Sequence, residues 1–164
     1  MSSVATRVLV PLDGSVSGER ALRWAERLAE AAHLEFVLFR VVLPPRAAVL
    51  VAPMVTRAGF SESEMEQPSD EYLRILSIDL REKGLEARYE TACLEAAEES
   101  VAELRAHFTR QIGDMILSRV EGDDIDFVAM ASHGMTSQMS TRWGSVTKYI
   151  LTHVSKPVLI VPVR

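Results

Sequence analysis

Ala131-Ser132-His133-Gly134, then nine residues, then Gly144-Ser145-Val146-Thr147 is the stretch whose reading decides the fold. Upstream, the short apolar run from Ile125 to Met130 reads as a buried strand. Downstream, Val146, Tyr149, Ile150, His153 and Val154 recur at helical spacing. A small-residue turn therefore leaves a strand, loops out, and re-enters at a helix start opened by Gly-Ser. Such a start presents backbone N–H groups and the positive end of a helix dipole, which together suit a phosphate group.

Working outward, the same alternation continues. Arg7-Val-Leu-Val-Pro-Leu12 is an apolar run ending in the turn composition Asp13-Gly14-Ser15. Ser17 then precedes a helix with an apolar stripe of Ala21, Leu22, Ala25, Leu28, Ala29 and Ala32. Glu35 to Val42 is a second strand, stopped by Pro44-Pro45. Residues 44–68 hold four of the seven prolines and read as a long loop, of the kind that is usually mobile or functional. A helix over Asp70 to Lys83 ends at Gly84, and Leu85 to Thr91 alternates as a half-buried third strand. Leu94, Ala97, Val101, Leu104 and Phe108 mark an acidic amphipathic helix, and Ile112, Met115, Ile116 and Val120 mark another. The alternative places the third strand near Leu104–Thr109. The chain closes on Pro157-Val-Leu-Ile-Val-Pro-Val163.

Continuous Val/Ile/Leu runs separated by helices predict an α/β fold, a parallel sheet covered on both faces. Five strands make one doubly wound domain over residues 1–164, large enough to bury about 70% of its unfolded surface. In such sheets ligands bind beyond the carboxyl ends of strands where strand order reverses. Asp13 and Ala131–Gly134 both stand at such ends, and they share a crevice only if the first and fourth strands are neighbours.

Charge is unevenly spread. The net charge is −5, yet residues 127–164 hold four of the 18 Lys/Arg and none of the 23 Asp/Glu. An anion is drawn to this segment and repelled by the rest. An acidic chain without a Lys/Arg cluster speaks against nucleic acid as a partner. Cys93 is the one cysteine, which rules out an intrachain disulfide. The start of the chain lacks a signal-peptide layout, and the Phe36–Val55 run is broken by Arg40, Pro44, Pro45 and Arg46. The expectation is a cytoplasmic protein with no membrane partner.

Four stretches together resemble the universal stress protein family: Val8-Leu-Val-Pro-Leu-Asp-Gly-Ser15, Phe39-Arg-Val-Val42, Ala131-Ser-His-Gly134 through Gly144-Ser-Val-Thr147, and Lys156-Pro-Val-Leu-Ile-Val-Pro162. The loop is similar to the G-x2-G-x9-G-[ST] loop of the ATP-binding subgroup, with Ala131 in place of the first glycine. The resemblance implies a five-stranded sheet in the order 3-2-1-4-5. It implies that Pro11, Asp13 and the backbone at Val41 hold an adenosine, with Asp13 near the ribose. It further implies that Ala131, Gly134, Gly144, Ser145, Val146 and Thr147 form the loop that wraps the phosphates of ATP or AMP, any Mg²⁺ being held by those phosphates. Val158–Val163 is the implied edge strand of a homodimer. Ala131 leaves two branches. Where glycine serves close approach, one methyl costs about 1 kcal/mol; where it serves a positive φ, the loop must rearrange.

Several residues invite sharper readings than they support. His133 reads as a loop residue that packs or faces solvent. His33, His107 and His153 lie at no ligand spacing, so no protein metal site is expected. Asp123, Asp124 and Asp126 precede the fourth strand and read as solvated turn residues. Met135 and Met139 are either ligand contacts or ordinary gap-fillers. The loop carries no carboxylate and only Arg142 as a cation, whereas phosphoryl transfer needs a base and cationic clamps. No catalytic residue is expected. The leading reading is a regulatory stress module that binds ATP, orders its 134–143 loop and is read by a protein partner. A family member acting through protein contacts alone and a slow ATPase are the alternatives.

Overall fold

The computed structural model describes residues 5–44, 69–94, 101–134 and 143–163, with only the backbone of 101–106. The elements in chain order are β1 (Thr6–Pro11), α1 (Val16–Ala29), β2 (Leu34–Val42), α2 (Ser69–Glu82), β3 (Glu86–Cys93), α3 (Val101–Val120), β4 (Phe127–Ala131), α4 (Ser145–His153) and β5 (Val158–Val161). The five strands are all parallel and lie in the order β3-β2-β1-β4-β5. Strands one and four are neighbours, as the crevice requires.

The apolar runs are continuous because both faces of the sheet are covered. Val8, Val10, Phe36, Leu38 and Ala129 point to one face and pack under α1 and α2, with Ala21, Leu22, Ala25, Leu73 and Leu80. Leu9, Val37, Phe39, Val128 and Met130 point to the other, against Ile116 and Val120 of α3 and Ile150 of α4. Period-two alternation within β1 and β2 thus feeds two cores at once.

The helix ends have local causes. Ser15, not Ser17, caps α1: its hydroxyl accepts from Gly18 N–H at 3.0 Å. α2 ends where Gly84 takes φ +81°, a conformation glycine adopts without strain, and Leu85 N–H returns to the Leu80 carbonyl at 3.0 Å. Two sequence readings need correction. Leu94 lies outside any helix, and the two expected helices over 94–108 and 112–120 are one continuous α3 from Val101 to Val120. That helix also excludes a third strand at Leu104–Thr109, since β3 is Glu86–Cys93. The glutamates between 95 and 100 and the 45–68 loop lie outside the described residues.

Gly113 explains why α3 carries a glycine in mid-helix. A Cβ there would come within 2.2 Å of Tyr149 Cδ1, so the bare backbone receives the α4 tyrosine ring. Tyr149 then donates to Asp114 at 2.6 Å and stacks on His153.

At the amino ends of the strands the charges pair with one another. Arg7 Nε lies 2.5 Å from Glu35, Arg88 bridges Glu35 and Asp124, and Arg119 bridges Asp124 and Glu90. Asp124 is therefore a member of an ion network rather than a solvated turn residue. Hydrogen bonds from Arg119, then its charge and Arg88, hold the Asp124 carboxyl well below the usual carboxylate range. Asp126 is also engaged, accepting from the Arg7 N–H at 2.7 Å. Among the described residues no helix is long and apolar enough to cross a membrane.

Candidate functional site

All five strands run the same way, so Pro11, Val41 and Ala131 meet at one edge of the sheet. Strand order reverses there between β1 and β4, the place where doubly wound sheets receive ligands. Leu12 prolongs the β1–β2 pairing, its N–H donating to the Phe39 carbonyl at 2.8 Å, and the chain then turns at Asp13-Gly14.

Asp13 is half-buried and organises this turn. Its Oδ1 accepts from Ser15 N–H at 3.0 Å and from Ser15 Oγ–H at 2.6 Å, while Ser15 Oγ accepts from Gly18 N–H. The carboxylate is thereby linked to the first turn of α1. Two glycines make room for it. A Cβ at Gly18 would lie 2.9 Å from Asp13 Oδ1, and one at Gly134 would lie 2.6 Å from Oδ2. Asp13 and Gly134, 121 positions apart in sequence, are in contact across the β1–β4 crevice.

Beyond β4 the chain stays tied to the sheet. Ser132 N–H donates to the Val161 carbonyl at 2.8 Å, and its hydroxyl accepts from Val163 N–H at 3.0 Å. His133 is packed rather than solvated, 7% exposed, with Nδ1 at 3.0 Å from Ser132 Oγ. Gly144 N–H then donates to the Ser132 carbonyl at 2.8 Å, which brings the start of α4 back to the end of β4. Residues 135–142, including Met135, Met139 and Arg142, lie outside the described residues.

The start of α4 differs from that of α1. Gly144 offers no side-chain cap, and the first turn has no acidic residue. In any α-helix the first-turn N–H groups lack an acceptor within the helix, here those of Ser145, Val146 and Thr147. Thr147 is 3% exposed and spends its hydroxyl on the Ala131 carbonyl at 3.1 Å, so only its backbone N–H is available to a ligand. Ser145 Oγ accepts from Thr109 at 3.3 Å.

Ala131 is resolved by its backbone. It is the last residue of β4, pairs with Val161, and no non-glycine among the described residues has a positive φ. Alanine therefore sits at this strand end without a strained φ.

Sequence reasoning missed Gly18 and Arg40. Arg40 occupies a β2 position whose alternation partners Phe36 and Leu38 face the α1/α2 core, and it is 8% exposed. Burial lowers its affinity for the proton, while Tyr72 and Asp13 act in the opposite direction. Among the described residues no three His, Cys, Asp or Glu side chains converge as metal ligands.

Known proteins decide the family. The sequence model of the universal stress protein family matches residues 5–162. The chain belongs to the universal stress protein family. Members of the family are generally regulatory stress proteins rather than enzymes. The fold is similar to that of hypothetical protein MJ0577, with a TM-score of 0.68 and 20% identity over 99% of both chains. It is similar to the universal stress protein of Archaeoglobus fulgidus in complex with dAMP, with a TM-score of 0.55 and 17% identity over 98% of both chains. It is also similar to an Arabidopsis thaliana family protein with AMP bound, with a TM-score of 0.58 and 15% identity, covering 97% of this chain and 92% of that one. No curated protein sequence matches the chain.

Proposed function

We propose that this universal stress protein binds an adenine nucleotide, ATP or AMP, at the carboxyl edge of its sheet between β1 and β4, and acts as a regulatory module that holds the nucleotide rather than consuming it. The observation that carries the reading is the juxtaposition of the Asp13 carboxylate with Gly134, beside a helix start that brings backbone donors and no acidic residue. In this reading Asp13 meets the ribose hydroxyls, with Pro11 and the Val41 backbone beside the base. Gly134, Gly144, Ser145, Val146 and Thr147 surround the phosphates, Ala131 supports them from the strand end, and Mg²⁺ is carried by the phosphates. The dAMP and AMP complexes of structurally similar family proteins support the choice of adenine nucleotide.

The reading extends to a homodimer through the Val158–Val163 edge strand and to a protein partner that reads the nucleotide-bound loop. β5 pairs with β4 alone among the described strands, leaving its other edge available. Titration calorimetry with Mg-ATP and with AMP tests the proposal. One site per chain, with ATP recovered unhydrolysed afterwards, is the expected result. Turnover of ATP at seconds to minutes would favour the slow-ATPase alternative, and no heat with either nucleotide would favour a module acting through protein contacts alone.

A further inference from the structure

Arg40 is the one charged side chain among the described residues that is more than nine-tenths buried. It stands at a strand position that the alternation of Phe36 and Leu38 assigns to the apolar core. Its guanidinium lies against the backbone of the Asp13-Gly14 turn: a Cβ at Gly14 would be 3.0 Å from Nη2 and 3.2 Å from both Cζ and Nη1. Gly14 has φ +90°, so both its conformation and the guanidinium demand glycine. Cζ also lies 5.2 Å from the centroid of the Tyr72 ring, and Tyr72 in turn donates to Glu19 in the first turn of α1 at 3.1 Å.

The Nη1 atom is buried and has no hydrogen-bond partner. A buried cation with incomplete pairing is destabilising, and an apolar side chain of similar volume is often better tolerated. Core packing alone would not keep an arginine here. Local rules are broken in this way where function compensates for the loss.

We infer that Arg40 is a positioning residue for the nucleotide site: from behind the β1–α1 turn its guanidinium fixes Gly14 and its charge keeps the Asp13 carboxylate set toward the crevice. The inference rests on the nucleotide-site reading above. Arg40 is not a ligand contact, because it lies on the α1/α2 side of the sheet and works through the turn. Its role makes stability and affinity move in opposite directions on substitution, which a residue that merely supports the fold cannot do.

Arg40→Met and Arg40→Lys separate the possibilities, each followed by thermal unfolding without ligand and by calorimetry with AMP. Arg40→Met is expected to raise Tm while weakening AMP binding about tenfold or more. Arg40→Lys, which keeps the charge but not the guanidinium against Gly14, is expected to lose less affinity than Arg40→Met. A fall of Tm and affinity together in Arg40→Met, or its failure to fold, would make Arg40 a structural residue and overturn the inference. Unchanged AMP affinity in Arg40→Met would overturn it while leaving the nucleotide site intact. An equal loss in the lysine variant would remove the electrostatic part. Absence of AMP and Mg-ATP binding by the wild-type protein would overturn the site and the inference together.

Discussion

The two edges of the sheet treat their charged groups in opposite ways. At the amino edge Arg7, Glu35, Arg88, Glu90, Arg119 and Asp124 are joined in a network of ion pairs. At the carboxyl edge a half-buried Asp13 is given space by two glycines, a helix starts without a side-chain cap, and a buried Arg40 keeps one nitrogen unpartnered. The contrast teaches where stability is spent. Pairing satisfies charges within the chain, whereas small residues and donors without internal acceptors leave interactions to be completed by something else. Even the two helices that flank the β1–β4 crevice differ, since α1 is closed by Ser15 and α4 has no side-chain cap.

Filling the carboxyl edge is the strongest way to break this contrast. Gly134→Ala places a methyl 2.6 Å from Asp13 Oδ2, an overpacking of about 1–3 kcal/mol. Calorimetry should show nucleotide affinity reduced about tenfold or more, because the carboxylate must move. Ser15→Ala comes next. It removes the α1 cap and the hydroxyl bond to Asp13 while keeping the one from the Ser15 backbone N–H, and should lower stability by about 1 kcal/mol in chemical denaturation while also weakening binding.

At the amino edge the prediction has the opposite character. Asp124→Asn should lower stability by no more than about 1 kcal/mol, since the pairs are partly solvent-screened, and leave nucleotide affinity unchanged. The pH dependence follows from the sign of the shift. The folded-state carboxyl is held below its unfolded value of about 3.9, so its contribution is fully present above about pH 4 and disappears as pH falls below that. The Tm difference between wild type and Asp124→Asn should therefore be constant near neutrality and shrink in acid. The smallest effect belongs to Ala131→Gly. Ala131 is ordinary strand, so glycine in its place should change affinity by less than about threefold and cost about 0.5–1 kcal/mol of stability. A tenfold gain in affinity would instead show that the methyl obstructs the site.

What was legible in the sequence was the local pattern. Apolar runs and helical periods at Val8–Val10, Phe36–Phe39, Val128–Met130 and Ile150 report burial directly, and all are core residues. Asp13 and the Gly144-Ser145 helix start were legible because turn and cap chemistry is local. The single helix α3 was read as two, although Leu104, Phe108, Ile112 and Ile116 keep a four-residue step. Its glycine at 113 serves Tyr149, a contact no local window contains. Ser15 and Ser17 are equally good caps by type, and the bond to Asp13 selects the first. Arg40 was legible only as a charge that breaks the Phe36–Val55 apolar run; that it is buried, and behind which turn, depends on β1 pairing with β2 in register Pro11↔Phe39. Asp124 failed for the same reason, its partners Arg88 and Arg119 coming from β3 and α3.

The most direct test of the carboxyl-edge site is an amide NMR titration of the wild-type protein with AMP. The account predicts the largest shifts at Gly14, Ser15, Gly134 and Gly144–Thr147, saturating at one nucleotide per chain, with Arg7, Arg88 and Arg119 unmoved. Saturation with shifts centred on the amino-edge network, or no shift at millimolar AMP, would contradict it.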